Sequence, residues 1–217
     1  MPVSATFLQL EGRKRQRIVS AALSEFANEG YAGASLNTIV KKTGISKGSL
    51  FNYFMDKRGL FMFVFEQALG LVKNYLRRVR NETAGEDLFT RIEKHLLAGV
   101  DFIRSNPRVY KIYLRVLYES GLPDRNILIT SVRRLSIEYL TEFLDVARSR
   151  GEVSPDIEVN EAAFVMEAVL EGFLQAYGVQ HLDAGLGLYK ASDEDVSKWA
   201  QGVVRLLKHG LVGPAAK

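Results

Sequence analysis

The sequence predicts an all-α protein, and three observations carry that expectation. Apolar residues recur at i, i+3 and i+4 along most of the 217 residues, the spacing that lines one face of a helix. Almost every break in that pattern falls on Gly or Pro, which interrupt helices for backbone reasons. No segment sustains the period-two alternation of a half-buried strand. The expected organisation is a small N-terminal three-helix domain at residues 11–56 and a larger helical domain at 57–211.

Taken in order, the first helix is expected from about Gly12 to Asn28. Ile18, Val19, Ala22, Leu23 and Phe26 form its apolar face, Arg13, Lys14 and Arg17 lie in its first turns, and Gly30 stops it. The stretch Ser35–Lys57 then reads as two short helices joined by a tight turn. Ser35 is a good N-cap, because its hydroxyl can accept an otherwise unpaired amide. Leu36, Ile39 and Val40 face inward. Gly44 ends this helix, since a left-handed C′ position carries no Cβ penalty only for Gly. Ile45 fills the angle, and Ser46 caps the next helix, whose apolar side is expected from Leu50, Phe51 and Phe54.

A long helix follows, capped by Asp56 and running to about Arg80. At 1.5 Å per residue it is a rod of about 36 Å, and its apolar content near Phe61–Phe65 suits it to link the two domains. Gly85 marks a loop. Helices are then expected over Leu88–Ser105, from Pro107 to Tyr118 with Pro at its first position, over Arg125–Ser149, Glu161–Leu182 and Ser192–Leu211. Asp193, Glu194 and Asp195 open the last helix, with Lys208 and His209 near its far end, as the helix dipole favours.

The second helix of the Ser35–Lys57 pair carries Lys47, Gly48, Ser49, Asn52 and Tyr53 on its other face. These are short or hydrogen-bonding groups with one cation and no acid. Such a face suits a helix set into the major groove of DNA. The segment GYAGASLNTIVKKTGISKGSLFNYFMDKRGLF resembles the helix-turn-helix of the tetracycline-repressor-like (TetR) regulators. The likeness rests on Gly30-Tyr31, Ile39-Val40, Gly44 through Leu50, Tyr53-Phe54 and Lys57, and covers roughly residues 11–65. Phe51 departs from the family, which usually has Tyr there, and so lacks a hydroxyl often used on the DNA backbone. The resemblance implies DNA contacts at Ser35, Asn37, Thr38, Ser46, Lys47, Gly48, Ser49, Asn52, Tyr53 and Lys57. It further implies a repressor that a small-molecule ligand releases from a palindromic operator.

Charge placement agrees. Residues 1–60 hold nine Lys/Arg against four Asp/Glu, and the remainder 20 against 21. The positive excess therefore lies with the helix-turn-helix, where a polyanion is attracted. With no cysteine in the chain, disulfides, thiolate metal sites and Cys nucleophiles are excluded. Neither a metal nor a cofactor is expected. The longest stretches without Asp, Glu, Lys or Arg, Gly172–Leu182 and Gly30–Val40, have 11 residues each, against about 20 apolar residues for a spanning helix. A cytoplasmic location without a membrane segment is expected.

An enzyme is disfavoured. His95, His181 and His209 are scattered, and no metal or phosphate motif occurs. Gly44-Ile45-Ser46-Lys47-Gly48 does match G-x-S-x-G, so the alternative is an α-helical hydrolase using Ser46. That elbow needs a buried strand before it, and Lys41-Lys42-Thr43 suits none. In the larger domain, Tyr110 and Tyr113, with Glu167, Glu171 and Gln175 spaced four apart, are candidate pocket residues, since polar groups within apolar walls orient small ligands. A single helix-turn-helix reads few bases, so a homodimer is expected. Its joint is placed on the last two helices, at Phe164, Val169, Phe173, Trp199, Val203 and Leu207.

Overall fold

The structure, a computed structural model, describes residues 3–209. Among them are ten α-helices and no strand. In order these are α1 (Ala5–Leu8), α2 (Gly12–Gly33), α3 (Leu36–Thr43), α4 (Lys47–Phe54), α5 (Lys57–Glu82), α6 (Leu88–Ser105), α7 (Pro107–Tyr118), α8 (Arg125–Ser149), α9 (Val159–Gly178) and α10 (Asp193–His209). The all-α expectation is met. Leu211, the expected end of the last helix, lies outside the described residues.

The chain forms two compact units. One takes in the residues up to Asn74 and returns at Asn106–Val132; the other takes in Tyr75–Ser105 and continues from Arg133. In the first, α2 packs against both α3 and α7. Its core gathers Ile18, Phe26, Ile39, Leu60, Phe61, Ile112 and Val116, each at most 1% exposed. Phe26, Tyr31 and Phe61 meet ring to ring, with Phe61 edge-on to both at 5.1 and 5.5 Å between centroids. Offset and edge-on aromatic pairs of this kind add to plain area burial.

Two local features differ from expectation. Gly30 does not end α2 but breaks it internally, at φ 71° and ψ 178°, a region open essentially to Gly alone. The amides past the break are claimed by Glu119, just beyond α7. Its Oε1 accepts from Tyr31 N–H at 2.8 Å and from Ala32 N–H at 3.4 Å. The second is α1, which periodicity missed because four residues hold no period. Ser4 caps it, Ser4 N–H donates to the Tyr53 carbonyl at 3.1 Å, and Phe7, 0% exposed, inserts among Tyr53, Phe54 and Phe63.

In the second unit α6 packs against α9 and α10. Leu96, Val100, Phe143, Leu144, Ala163 and Phe173 are buried. His95 sits inside: its Nδ1 donates to the Arg91 carbonyl at 2.6 Å, and its Nε2 accepts from the Tyr139 hydroxyl. Burial holds the His95 imidazole below its usual pKa and pushes the Tyr139 phenol up to about 12. α5 runs unbroken through Gly70, and Asp56 Oδ1 accepts from Gly59 N–H at 2.7 Å in its first turn.

Candidate nucleic-acid interface

Local hydrogen bonds set the two helices of the motif. Ser35 Oγ accepts from Thr38 N–H at 3.4 Å, and Ser46 Oγ from Ser49 N–H at 3.0 Å. Each N-cap of this kind is worth about 1 kcal/mol. Gly44 takes φ 69°, ψ 21° and closes α3 through its amide to the Val40 carbonyl. Ile45, 8% exposed, fills the corner. Ser46 thus lies between two helices, with its Oγ 2.8 Å from Ser49 Oγ. A nucleophile elbow needs a strand on its N-terminal side, and here α3 stands there.

The exposed side of α4 carries Lys47, Gly48, Phe51 and Asn52, with Ser49 half-buried. Two residues trade places relative to the sequence reading. Tyr53 is 8% exposed and Phe51 39%, so Tyr53 is a core residue and Phe51 faces outward. The reason is angular: Leu50, Tyr53 and Phe54 lie at i, i+3 and i+4 and form one stripe, which Phe7 covers. Asn37 is exposed and Ser35 and Thr38 are half-buried at the start of α3.

Lys57 has work inside the fold. Its Nζ donates to the Ala32 carbonyl at 3.1 Å and lies 5.1 Å from the Tyr31 ring centroid. An ammonium has three donors, so two hydrogens remain for other acceptors. Sequence reading also missed Glu25. It is 5% exposed, accepts from Ser35 N–H at 3.1 Å and pairs with Lys42 Nζ at 3.2 Å. An acid on the Ile18–Ala22–Phe26 stripe was the signal: it joins α2 to the cap and the last turn of α3.

The expected pocket residues divide between the units. Tyr110 and Tyr113 stack in the first at 6.0 Å between centroids. Glu167, Glu171 and Gln175 belong to the second and do come together. Arg133 Nη1 donates to Glu167 Oε1 and Glu171 Oε2, and Gln175 Nε2 donates to Glu171 Oε1 at 2.6 Å. Burial opposes the Arg133 charge, yet hydrogen bonds to Glu167 and then Glu171 more than offset it, and its pKa is raised. Of the apolar residues expected at a subunit joint, Phe164 is 65% exposed. Val169, Trp199, Val203 and Leu207 are half-buried, and Phe173 is 5% exposed. Phe173 is therefore core and not surface.

Residues 18–62 match the family described as bacterial regulatory proteins, tetR family. Residues 86–212, more than half of the chain, match the tetracyclin repressor-like C-terminal domain. The chain belongs to the TetR family. It is a DNA-binding transcriptional regulator. This TetR-family protein is 25% identical over 186 residues to the "Probable acrEF/envCD operon repressor" of Escherichia coli K12, covering 82% of this chain and 81% of that one. A TetR-family regulator from Chloroflexus aurantiacus superposes with a TM-score of 0.68 at 24% identity, over 97% of this chain and 98% of the other. FadR of Bacillus subtilis, solved with stearoyl-CoA, superposes at 0.71 with 16% identity, over 91% and 99%. The structural likenesses establish the shared fold. Among the described residues no helix is long and apolar enough to cross a membrane.

Proposed function

We propose that this TetR-family regulator acts as a homodimeric repressor that a small-molecule effector releases from a palindromic operator. The observation that carries the reading is the outer face of α4. Lys47, Gly48 and Asn52 stand exposed there, no acid occurs in the helix, and both helices of the motif are capped by serine. Lys47 and Asn52 read base edges, a bidentate pair being worth about 1–3 kcal/mol of discrimination. Ser35, Asn37, Thr38, Ser46, Ser49 and Lys57 hold phosphates, and Gly48 admits the backbone. Phe51 offers its ring to a thymine methyl, the apolar feature of the major groove.

The dimer joint is proposed on α9 and α10. Phe164, Val165 and Leu206 are at least half exposed there, more apolar surface than water favours. Two-fold pairing brings the recognition helices to the ~34–36 Å spacing of one DNA turn. The C-terminal helical domain receives the effector, which lowers operator affinity by its differential affinity for the two states.

The test is a mobility shift on DNA upstream of the protein's own gene, compared with random DNA over a salt series. Specific binding that Asn52→Ala weakens on the upstream DNA alone, and Lys47→Ala weakens with a shallower salt slope, supports the reading. Equal binding to both DNAs by the wild type refutes it.

A further inference from the structure

Arg91 stands out in the second unit. It lies on α6 and is 4% exposed. Its guanidinium lies over the Phe143 ring of α8, with Cζ 4.0 Å from the centroid. Among the described residues its guanidinium Nε is buried without a hydrogen-bond partner. A polar atom buried and unsatisfied in this way calls for an explanation.

The charged neighbours each have other partners. Tyr139 and Glu152 lie on its favourable side, while Arg150 and Arg80 repel it. Glu152 Oε2 is taken by Leu88 N–H at 2.6 Å. Arg80 pairs with Glu142 at 2.7 Å, and Arg150 donates to the carbonyls of Ala84 and Glu86. Tyr139 gives its proton to His95. Phe143 lies against the guanidinium, and Ile92 and Leu96 on α6 and Leu140 and Leu144 on α8 are buried apolar residues of the same two helices.

We propose that Arg91 is the seat for an oxyanion carried on an apolar body, presented by the effector of this unit. The proposal rests on reading the C-terminal domain as effector-binding. A guanidinium fork matches carboxylate and phosphate alike. The apolar body follows from the surroundings. A small inorganic anion would lose its hydration over the Phe143 ring, between two helices rich in buried apolar residues, and gain one partner. An amphiphile offsets that loss by burying its chain.

The experiment uses the whole protein without DNA. Dodecanoate, dodecyl phosphate, dodecanol and dodecyltrimethylammonium, each kept below its micellar concentration, are titrated by calorimetry into wild type, Arg91→Met and Arg91→Lys. The expected result is one-to-one binding of an oxyanion, weakened about tenfold or more in Arg91→Met and less in Arg91→Lys. Dodecanol binds more weakly and without regard to residue 91. Binding of only one of the two oxyanions identifies the source of the anion and supports the proposal. Without ligand, Arg91→Met melts at or above the wild-type temperature, since it removes a buried donor that has no acceptor.

Four outcomes overturn the proposal: no oxyanion binds; the alcohol or the cation binds as tightly; Arg91→Met binds unchanged; or ligand-free Arg91→Met melts well below wild type. The last would mean that the fold already satisfies the guanidinium. Specific operator binding by a protein that ignores oxyanions refutes this inference and leaves the regulator reading intact. Oxyanion binding by a protein with no operator preference does the reverse.

Discussion

The carboxylate of Glu119 accepts the backbone amide of Tyr31 at 2.8 Å across 88 positions of chain. The residue that ends α7 thereby caps the break in α2. Arg115 Nη2, one turn earlier, donates to the Asn28 carbonyl at 2.9 Å, and Lys111 Nζ to Asn28 Oδ1 at 3.3 Å. Lys111 and Arg115 on α7 and Glu119 just beyond it, spaced four apart, thus hold the approach to the DNA-reading helices. Glu119→Ala strands the Tyr31 and Ala32 amides and is expected to cost about 1–3 kcal/mol, while Glu119→Gln keeps an acceptor and costs less. Gly30→Ala meets two obstacles, a φ of 71° and a Cβ placed 2.8 Å from Glu119 Oε2, for a similar loss of about 1–3 kcal/mol. Urea denaturation midpoints of the three variants check the order.

Phe7 makes a second expectation. It is fully buried against Tyr53, Phe54 and Phe63, so Phe7→Ala opens a cavity worth about 3–5 kcal/mol. The cavity lies behind the recognition helix, and hydrogen exchange of the α4 amides should quicken more than that of the α6 amides. Equal quickening in both helices would show that Phe7 has no particular hold on α4.

The stability of this protein should depend on His95 at mildly acid pH. Burial depresses the imidazole pKa in the folded chain, whereas the unfolded chain titrates near 6.5. The unfolded state therefore takes up the proton first as pH falls. The stabilisation is complete above about pH 6.5 and is lost progressively below it, toward the folded-state pKa. Unfolding free energies measured from pH 8 to pH 5 should decline, and His95→Gln should flatten the decline. An unchanged slope in the variant would assign the acid loss to other groups.

The proposed joint predicts an assembly phenotype. Burying one large apolar side chain is worth about 1.5–3 kcal/mol. Phe164→Asp or Leu206→Asp should then weaken self-association about tenfold to a hundredfold without lowering the melting temperature of the separated subunit. Sedimentation equilibrium at micromolar concentration reads the first and calorimetry of dilute protein the second. Wild-type protein that sediments as a monomer would remove the joint altogether.

Sequence legibility followed chain separation. Ser35, Gly44 and Ser46 act within four residues of themselves, and their caps were readable directly. Lys47 and Asn52 are exposed because nothing else in the first unit covers their side of α4. The i, i+3, i+4 rule already set Tyr53 beside Leu50 and Phe54; what could not be read was Phe7, which covers that stripe from more than forty residues away. Glu167, Glu171 and Gln175 announced a polar stripe by their spacing of four, but Arg133, the cation they bind, came from another helix. Nothing in the sequence tied Glu119 to Tyr31: an acid at a helix end normally means only exposure to water.

The union of the early chain with Asn106–Val132 has a consequence for synthesis. Separated by 88 positions, Tyr31 leaves the ribosome roughly 4–18 s before Glu119 at ordinary rates of translation. For that interval the apolar stripe of α2 has no α7 to lie against, and Phe26 and Ile18 are open to chaperones and to other nascent chains. The DNA-reading helices are made before α7 and are finished only once it arrives. A transcript broken before α7 would yield a motif complete in sequence whose supporting side still faces water.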